Sequence, residues 1–137
     1  MARSTKQKGR ALEKLVAERL SRIFAFSYAR LDSGSGKFRK EDVTLPEDIP
    51  LHIECKNHAS LSLNEWWKDA LHGCPAYKVP VLVYKINFYE PQVYMMLADL
   101  LWILGFKEAK DNSKFASHIT ISFNDFSDLL SATYRKD

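Results

Sequence analysis

Glu54-Cys55-Lys56 sets a carboxylate and an ammonium two residues apart, and Asp42 precedes Glu54 by twelve positions. On an extended strand, residues i and i+2 share a face, so Glu54 and Lys56 would stand side by side. Carboxylate oxygens are hard ligands that suit Mg²⁺ (Mn²⁺ is expected to substitute), an ion that keeps several waters and can present one to a phosphodiester. Asp42 and Glu54 would supply those oxygens, and Glu13 could complete the cluster from a helix. Lys56 would orient or deprotonate the attacking water, or stabilise charge on the phosphate; the spacing leaves these roles open. Spacing alone is weak evidence, because Glu108-Ala109-Lys110 repeats it in a polar segment. Glu54-Cys55-Lys56 differs by sitting in an apolar stretch. Its other local reading is an exposed ion pair on a sheet edge.

The surrounding periodicities say which elements would hold these groups. Leu51, Ile53 and Cys55 alternate with His52, Glu54 and Lys56, which predicts a strand over Leu51–Lys56 with the first three facing a core. Leu12, Leu15, Val16, Leu20, Ile23 and Phe24 recur at helical spacing and predict a helix over Gly9–Phe24. Glu13 falls about 65° from the centre of that stripe, inside its edge. A short acidic side chain there needs a partner, a proton or a metal. Arg19 lies near the opposite edge, where its long stem can carry the charge to water.

Ser27–Leu31 reads as a short strand and Asp32–Gly36 as a turn, without the Gly-Lys-Ser/Thr of a phosphate-binding loop. Ser62-Leu63-Asn64-Glu65 is a capping box that opens a helix ended by Gly73 and Pro75. The helical positions of Trp66 and Trp67 favour core packing over base stacking. Val79–Ile86 is a strongly apolar, central strand, paired through Asn87–Pro91 with a strand over Val93–Leu97. Ala98–Leu104 predicts a helix, and Trp102 with its apolar neighbours belongs to a core or a subunit interface. Ile119–Phe123 predicts a last strand, with Asn124 capping a final helix that carries Phe126, Leu129 and Leu130. The order α-β-β-α-β-β-α-β-α predicts an α/β fold, a mixed central sheet flanked by helices.

The chain has 137 residues, 46% of them hydrophobic, which fits one domain over 1–137. No apolar run reaches the ~18–20 residues of a bilayer span, and the basic N-terminus has no apolar secretory stretch, so a cytoplasmic protein is expected. Cys55 and Cys74 make no disulfide framework, and with His58 and His72 they do not give a usual zinc spacing. The net charge of +3 is small. Its distribution says more: Arg3, Lys6, Lys8 and Arg10 precede the first acid, and Lys37, Arg39 and Lys40 follow the glycine-serine loop. These clusters could contact phosphates, and each reads equally well as a solvated tail or loop.

Lys8-Gly9-Arg10-Ala11-Leu12-Glu13, Ser33-Gly34-Ser35, Asp42-Val43 and Ile53-Glu54-Cys55-Lys56 together resemble the PD-(D/E)xK nucleases, particularly the archaeal-type Holliday-junction resolvases. The resemblance covers roughly the first half of the chain, and Val79–Tyr84 also fits the family's core. It implies a restriction-endonuclease-like fold and catalytic roles for Glu13, Asp42, Glu54 and Lys56. It also points to Ser33 near the scissile phosphate, with Ser35 the less favoured choice. A homodimer acting on branched DNA is implied as well, since paired cuts need paired sites. A viral member would work in its host's cytoplasm. The chain departs from the pattern in having Glu41 before Asp42 in place of proline. It also has no glutamine on the helix after Glu-x-Lys, where Lys68 is the candidate substitute. The segment after Leu97 has no counterpart in the minimal resolvase pattern. Two other functions stay in view: a repair, restriction or replication nuclease of the same superfamily, and an inactive DNA-binding protein on the same scaffold.

Overall fold

The computed structural model describes residues 5–24, 43, 45–110 and 113–134. The elements run α1 (Thr5–Phe24), β1 (Leu51–His58), α2 (Leu63–Leu71), β2 (Val79–Ile86), β3 (Gln92–Met96), α3 (Leu97–Ile103), β4 (His118–Ser122) and α4 (Phe123–Tyr134). A short 3-10 turn covers Ser113–Phe115. Among the described residues four strands form one mixed sheet in the order β1-β2-β3-β4. β1 and β2 are parallel, because α2 carries the chain back across the sheet between them; the short β2–β3 and longer β3–β4 connections give antiparallel pairs. This is the α/β architecture expected from the element order. The expected strand over 27–31 and turn over 32–36 lie outside the described residues.

The sheet is covered on both faces by different layers. Leu51, Ile53 and Cys55 of β1 and Val79, Val81 and Val83 of β2 pack with Leu12, Val16 and Leu20 of α1 and Phe123, Phe126 and Leu130 of α4. The opposite face of β2 carries Leu82 and Tyr84 against Trp66 and Ala70 of α2. β2 is interior to the sheet, as its strongly apolar sequence predicts. Trp66 is buried and Trp67 packs against the same small cluster, so both follow the core reading. Trp102 packs against the large cluster and carries the Lys110 ammonium 4.3 Å from its ring centre.

Several boundaries differ from expectation for local reasons. α1 begins at Thr5, so Gly9 lies inside a helix it was expected to start. Ser62 does cap α2, yet its side chain makes no cap hydrogen bond; its carbonyl accepts from Trp66 N instead. The final helix is capped by Ser122, whose Oγ accepts from Asp125 N at 3.0 Å, not by Asn124. Asn124 instead accepts from Arg19 Nη1 at 3.1 Å, while the Arg19 guanidinium lies over the Phe123 ring. That contact ties α1 to α4.

Candidate active site

Because β1 and β2 are in parallel register with Glu54 opposite Leu82 and Lys56 opposite Tyr84, these four side chains share one face of the sheet. It is the α2 face. Glu54 and Lys56 are therefore brought together as the alternation predicts, and both are half-buried. The same face is more enclosed than the alternation implied, since His52 at its start is buried.

Lys56 Nζ lies 2.8 Å from Asp69 Oδ2 of α2. Trp66 and Ala70 anchor α2 to the sheet, and Asp69 sits on the flank of that buried stripe, where a short carboxylate reaches the strand beneath. The expected substitute, Lys68, is exposed and one position off this flank. The sequence alone does not single out Asp69, because nothing marks an acid on a polar helix flank until its strand partner is known. Its spacing of three from Trp66 was the available signal.

His58 stands on the same face, two residues beyond Lys56, and stacks on Trp66 with ring centres 5.2 Å apart. Its pKa is lowered, first by burial and then by the positive charges of Lys56 and Lys8. The imidazole is thus held toward its neutral form. Tyr84 packs against Trp66 with ring centres 5.9 Å apart, and its pKa is pushed up chiefly by burial, which keeps its hydroxyl protonated. Trp67, Tyr94 and His118 continue the aromatic surface toward β4, with Tyr94 and His118 stacked at 4.9 Å.

Glu13 is half-buried on α1, beside the core residue Leu12. α1 packs on the opposite face of β1 from Glu54 and Lys56, so Glu13 belongs to a different layer. Asn57 Nδ2 donates to the Lys8 carbonyl at 2.9 Å, pinning the start of α1 to the end of β1. Glu13, Glu54 and Lys56 each have a further interaction besides these. Val43 forms an antiparallel bridge with Ile53 and is fully buried. Asp42, Arg3, Ser33, Ser35, Lys37, Arg39 and Lys40 lie outside the described residues, and Lys6 is described only as a position in α1. Of the expected phosphate contacts, Arg10 is exposed and Lys8 Nζ donates to Asn87 Oδ1 at 2.9 Å.

Among the described residues, no three His, Cys, Asp or Glu side chains gather as a metal site. The donors that are described, Glu13 and Glu54, are both hard oxygen ligands, which fit a divalent cation that retains water. Cys55 and His58 point to opposite faces of β1, so that pair cannot share a zinc ion.

A mixed sheet with Glu-x-Lys on a strand and helices on both faces is the construction of a PD-(D/E)xK nuclease. The family described as "Phage putative PDDEXK endonuclease" matches residues 4–133, and the chain belongs to it. The match runs well past Leu97, so the C-terminal β4 and α4 are part of the family's own pattern. No curated protein and no solved structure matches the chain. No described helix is long and apolar enough to cross a membrane.

Proposed function

We propose that the protein is a Mg²⁺-dependent endodeoxyribonuclease that acts, as a homodimer, on four-way DNA junctions by paired phosphodiester hydrolysis. The observation that carries the nuclease chemistry is the pairing of Glu54 and Lys56 on one face of β1, with the ammonium held by Asp69. The antiparallel bridge from Val43 to Ile53 supports a role for Asp42, the covalent neighbour of Val43, alongside Glu54, the covalent neighbour of Ile53. Glu13 would join from α1 round the edge of β1, directly or through water. Bound there, the metal would supply a nucleophilic water and charge neutralisation at the phosphate.

In this reading Asp42 and Glu54 would hold the metal, and the metal would supply the charge that draws in the reacting phosphate. Lys56, fixed against a carboxylate, acts as a positive charge for the phosphate oxygens in preference to serving as the base. Ser33 would contact the scissile phosphate. Lys8 and Arg10 would bind flanking phosphates together with Arg3, Lys6, Ser35, Lys37, Arg39 and Lys40, making affinity fall as salt rises. The junction preference and the dimer rest on the resemblance to archaeal-type resolvases.

The test is cleavage of a panel of four-way, forked and linear DNAs in Mg²⁺ and in Mn²⁺. Paired nicks in the four-way junction, with little cutting of linear duplex, are expected. Equal cutting of junction and linear duplex would remove the junction preference and leave a DNA nuclease. Inertness in both metals would favour a binding protein on the same scaffold.

A further inference from the structure

The turn between β2 and β3 exposes two aromatic rings at the end of the sheet toward which β1 and β2 run. Phe88 is 100% exposed and Tyr89 is 69% exposed; among the other described Phe, Tyr and Trp rings only Tyr77 and Phe106 are exposed, and neither adjoins this turn in sequence. Phe88 also has φ of +73°, the one positive value among described non-glycine residues. Tyr89 N donates to Ile86 O, so Phe88 occupies the third position of a tight turn that favours glycine. A bulky residue in the left-handed region is strained, and such strain concentrates at functional sites. Neither packing nor turn chemistry accounts for phenylalanine here.

The turn is fixed to the proposed catalytic strand. Asn87 N donates to the carbonyl of His58, the last residue of β1, and Asn87 Oδ1 accepts from Lys8 Nζ. Lys56 is in register with Tyr84, four residues before Phe88. At ~3.3 Å per strand residue, Phe88 lies at most about 13 Å further along the strand direction than Lys56. A groove of about 670 Å³ runs beside the turn on the α1 side of the sheet, the side opposite Glu54 and Lys56, with Lys8 and Lys85 among its lining residues and Glu90 as the opposing charge. Among the described residues, the hydrogen-bond partner of the Lys8 ammonium is a neutral amide, so that bond does not neutralise its charge.

We infer that Phe88 and Tyr89 form a stacking tip that receives an unpaired or unstacked nucleobase where a DNA strand passes from the α2 face over the end of β1 and β2, while Lys8 and Lys85 take phosphates on the α1 side. This rests on the nuclease reading above and extends it to a specific surface. Exposed rings suit a base because each base offers a π face, and flanking lysines suit its phosphate. A tip that stacks on bases favours DNA whose pairing is interrupted, as at a branch point.

The experiment measures binding of the full chain, without divalent metal, to a four-way junction, to single-stranded DNA and to a linear duplex. The unmodified protein is compared with Phe88→Ala, Phe88→Gly and the Phe88→Ala/Tyr89→Ala double variant, with sedimentation and thermal melting of each. The double variant is expected to lose roughly ten-fold or more in affinity for junction and single-stranded DNA, with a smaller loss on linear duplex. Phe88→Gly should melt at a higher temperature than the unmodified chain and still bind branched DNA more weakly. That opposition separates a binding role from a structural one. Undiminished binding by the double variant would overturn the proposal while leaving the nuclease reading intact. So would a change from dimer to monomer in sedimentation with affinity per protomer unchanged, which would make the tip a self-association surface. Failure of the unmodified chain to bind any of the DNAs would overturn both.

Discussion

The two faces of β1 use alternate residues of a single strand for different purposes. Leu51, Ile53 and Cys55 join an apolar cluster closed by α1 and α4, in which Val16, Leu20, Phe126 and Leu130 are all fully buried. Glu54, Lys56 and His58 face α2, where a carboxylate and a layer of rings meet them. The first face supplies stability by removing apolar surface from water. The second stores charge next to aromatic walls, an arrangement that contributes little to stability and suits chemistry. Each function can therefore be altered with limited cost to the other, and the strand itself is the link between them.

That separation can be broken most forcefully from the apolar side. Phe126→Ala empties a fully buried site and should cost about 3–5 kcal/mol by denaturant unfolding. Cleavage per folded molecule should stay near the unmodified value, measured well below the variant's melting temperature. From the other side, Lys56→Met should lower the cleavage rate by about 10²–10³-fold, as loss of a group stabilising transition-state charge does. Its stability should change by no more than about 1 kcal/mol, because the Lys56–Asp69 pair is partly solvated. If each variant damaged both properties equally, the two faces would not be separable.

Asp69→Asn sharpens the comparison. It keeps the shape and removes the charge that fixes Lys56, so a rate loss of roughly 10-fold is expected, carried in kcat more than in KM. Lys56→Met should mask the effect, since the two residues act through one ammonium.

A smaller effect concerns pH. His58 is depressed below 6.5 by burial and by Lys56 and Lys8, so the unfolded chain binds its proton more readily than the folded one. Its contribution to stability is present above pH ~6.5 and is lost as pH falls toward the lowered value. Unfolding followed from pH 8 to 5 should show this decline, and His58→Gln should reduce it. The smallest effect is Gly9→Ala. An added Cβ would meet nothing within 4 Å, and the residue lies inside α1, so a gain of about 0.5–1 kcal/mol is expected in thermal or urea unfolding.

Much of this arrangement was legible in the residues. The stripe of α1, the alternation of β1 and the apolar run of β2 each specify their element, because burial against a neighbour imposes a period. The same alternation placed Glu54 and Lys56 together. It could not show what would cover them, so the enclosure of His52 and the Asp69 contact emerge only once α2 is laid on the sheet. Helix ends were harder. Gly9 looks like a beginning, yet glycine is merely tolerated there, and Ser122 outcompetes Asn124 as cap because it stands at the junction of β4 and α4. In sequence Phe88 is one residue of the connection Asn87–Pro91; its exposure and backbone angle are properties of the folded turn alone.

The central claim, that the α2 face of β1 is a metal-dependent nuclease site, is tested most directly by single-turnover cleavage of junction DNA in Mg²⁺. Glu54→Gln, Asp42→Asn and the unmodified protein are to be compared at matched, independently measured DNA binding. The account predicts that both variants bind the junction and fail to cut it. Cutting by Glu54→Gln at the unmodified rate would contradict it.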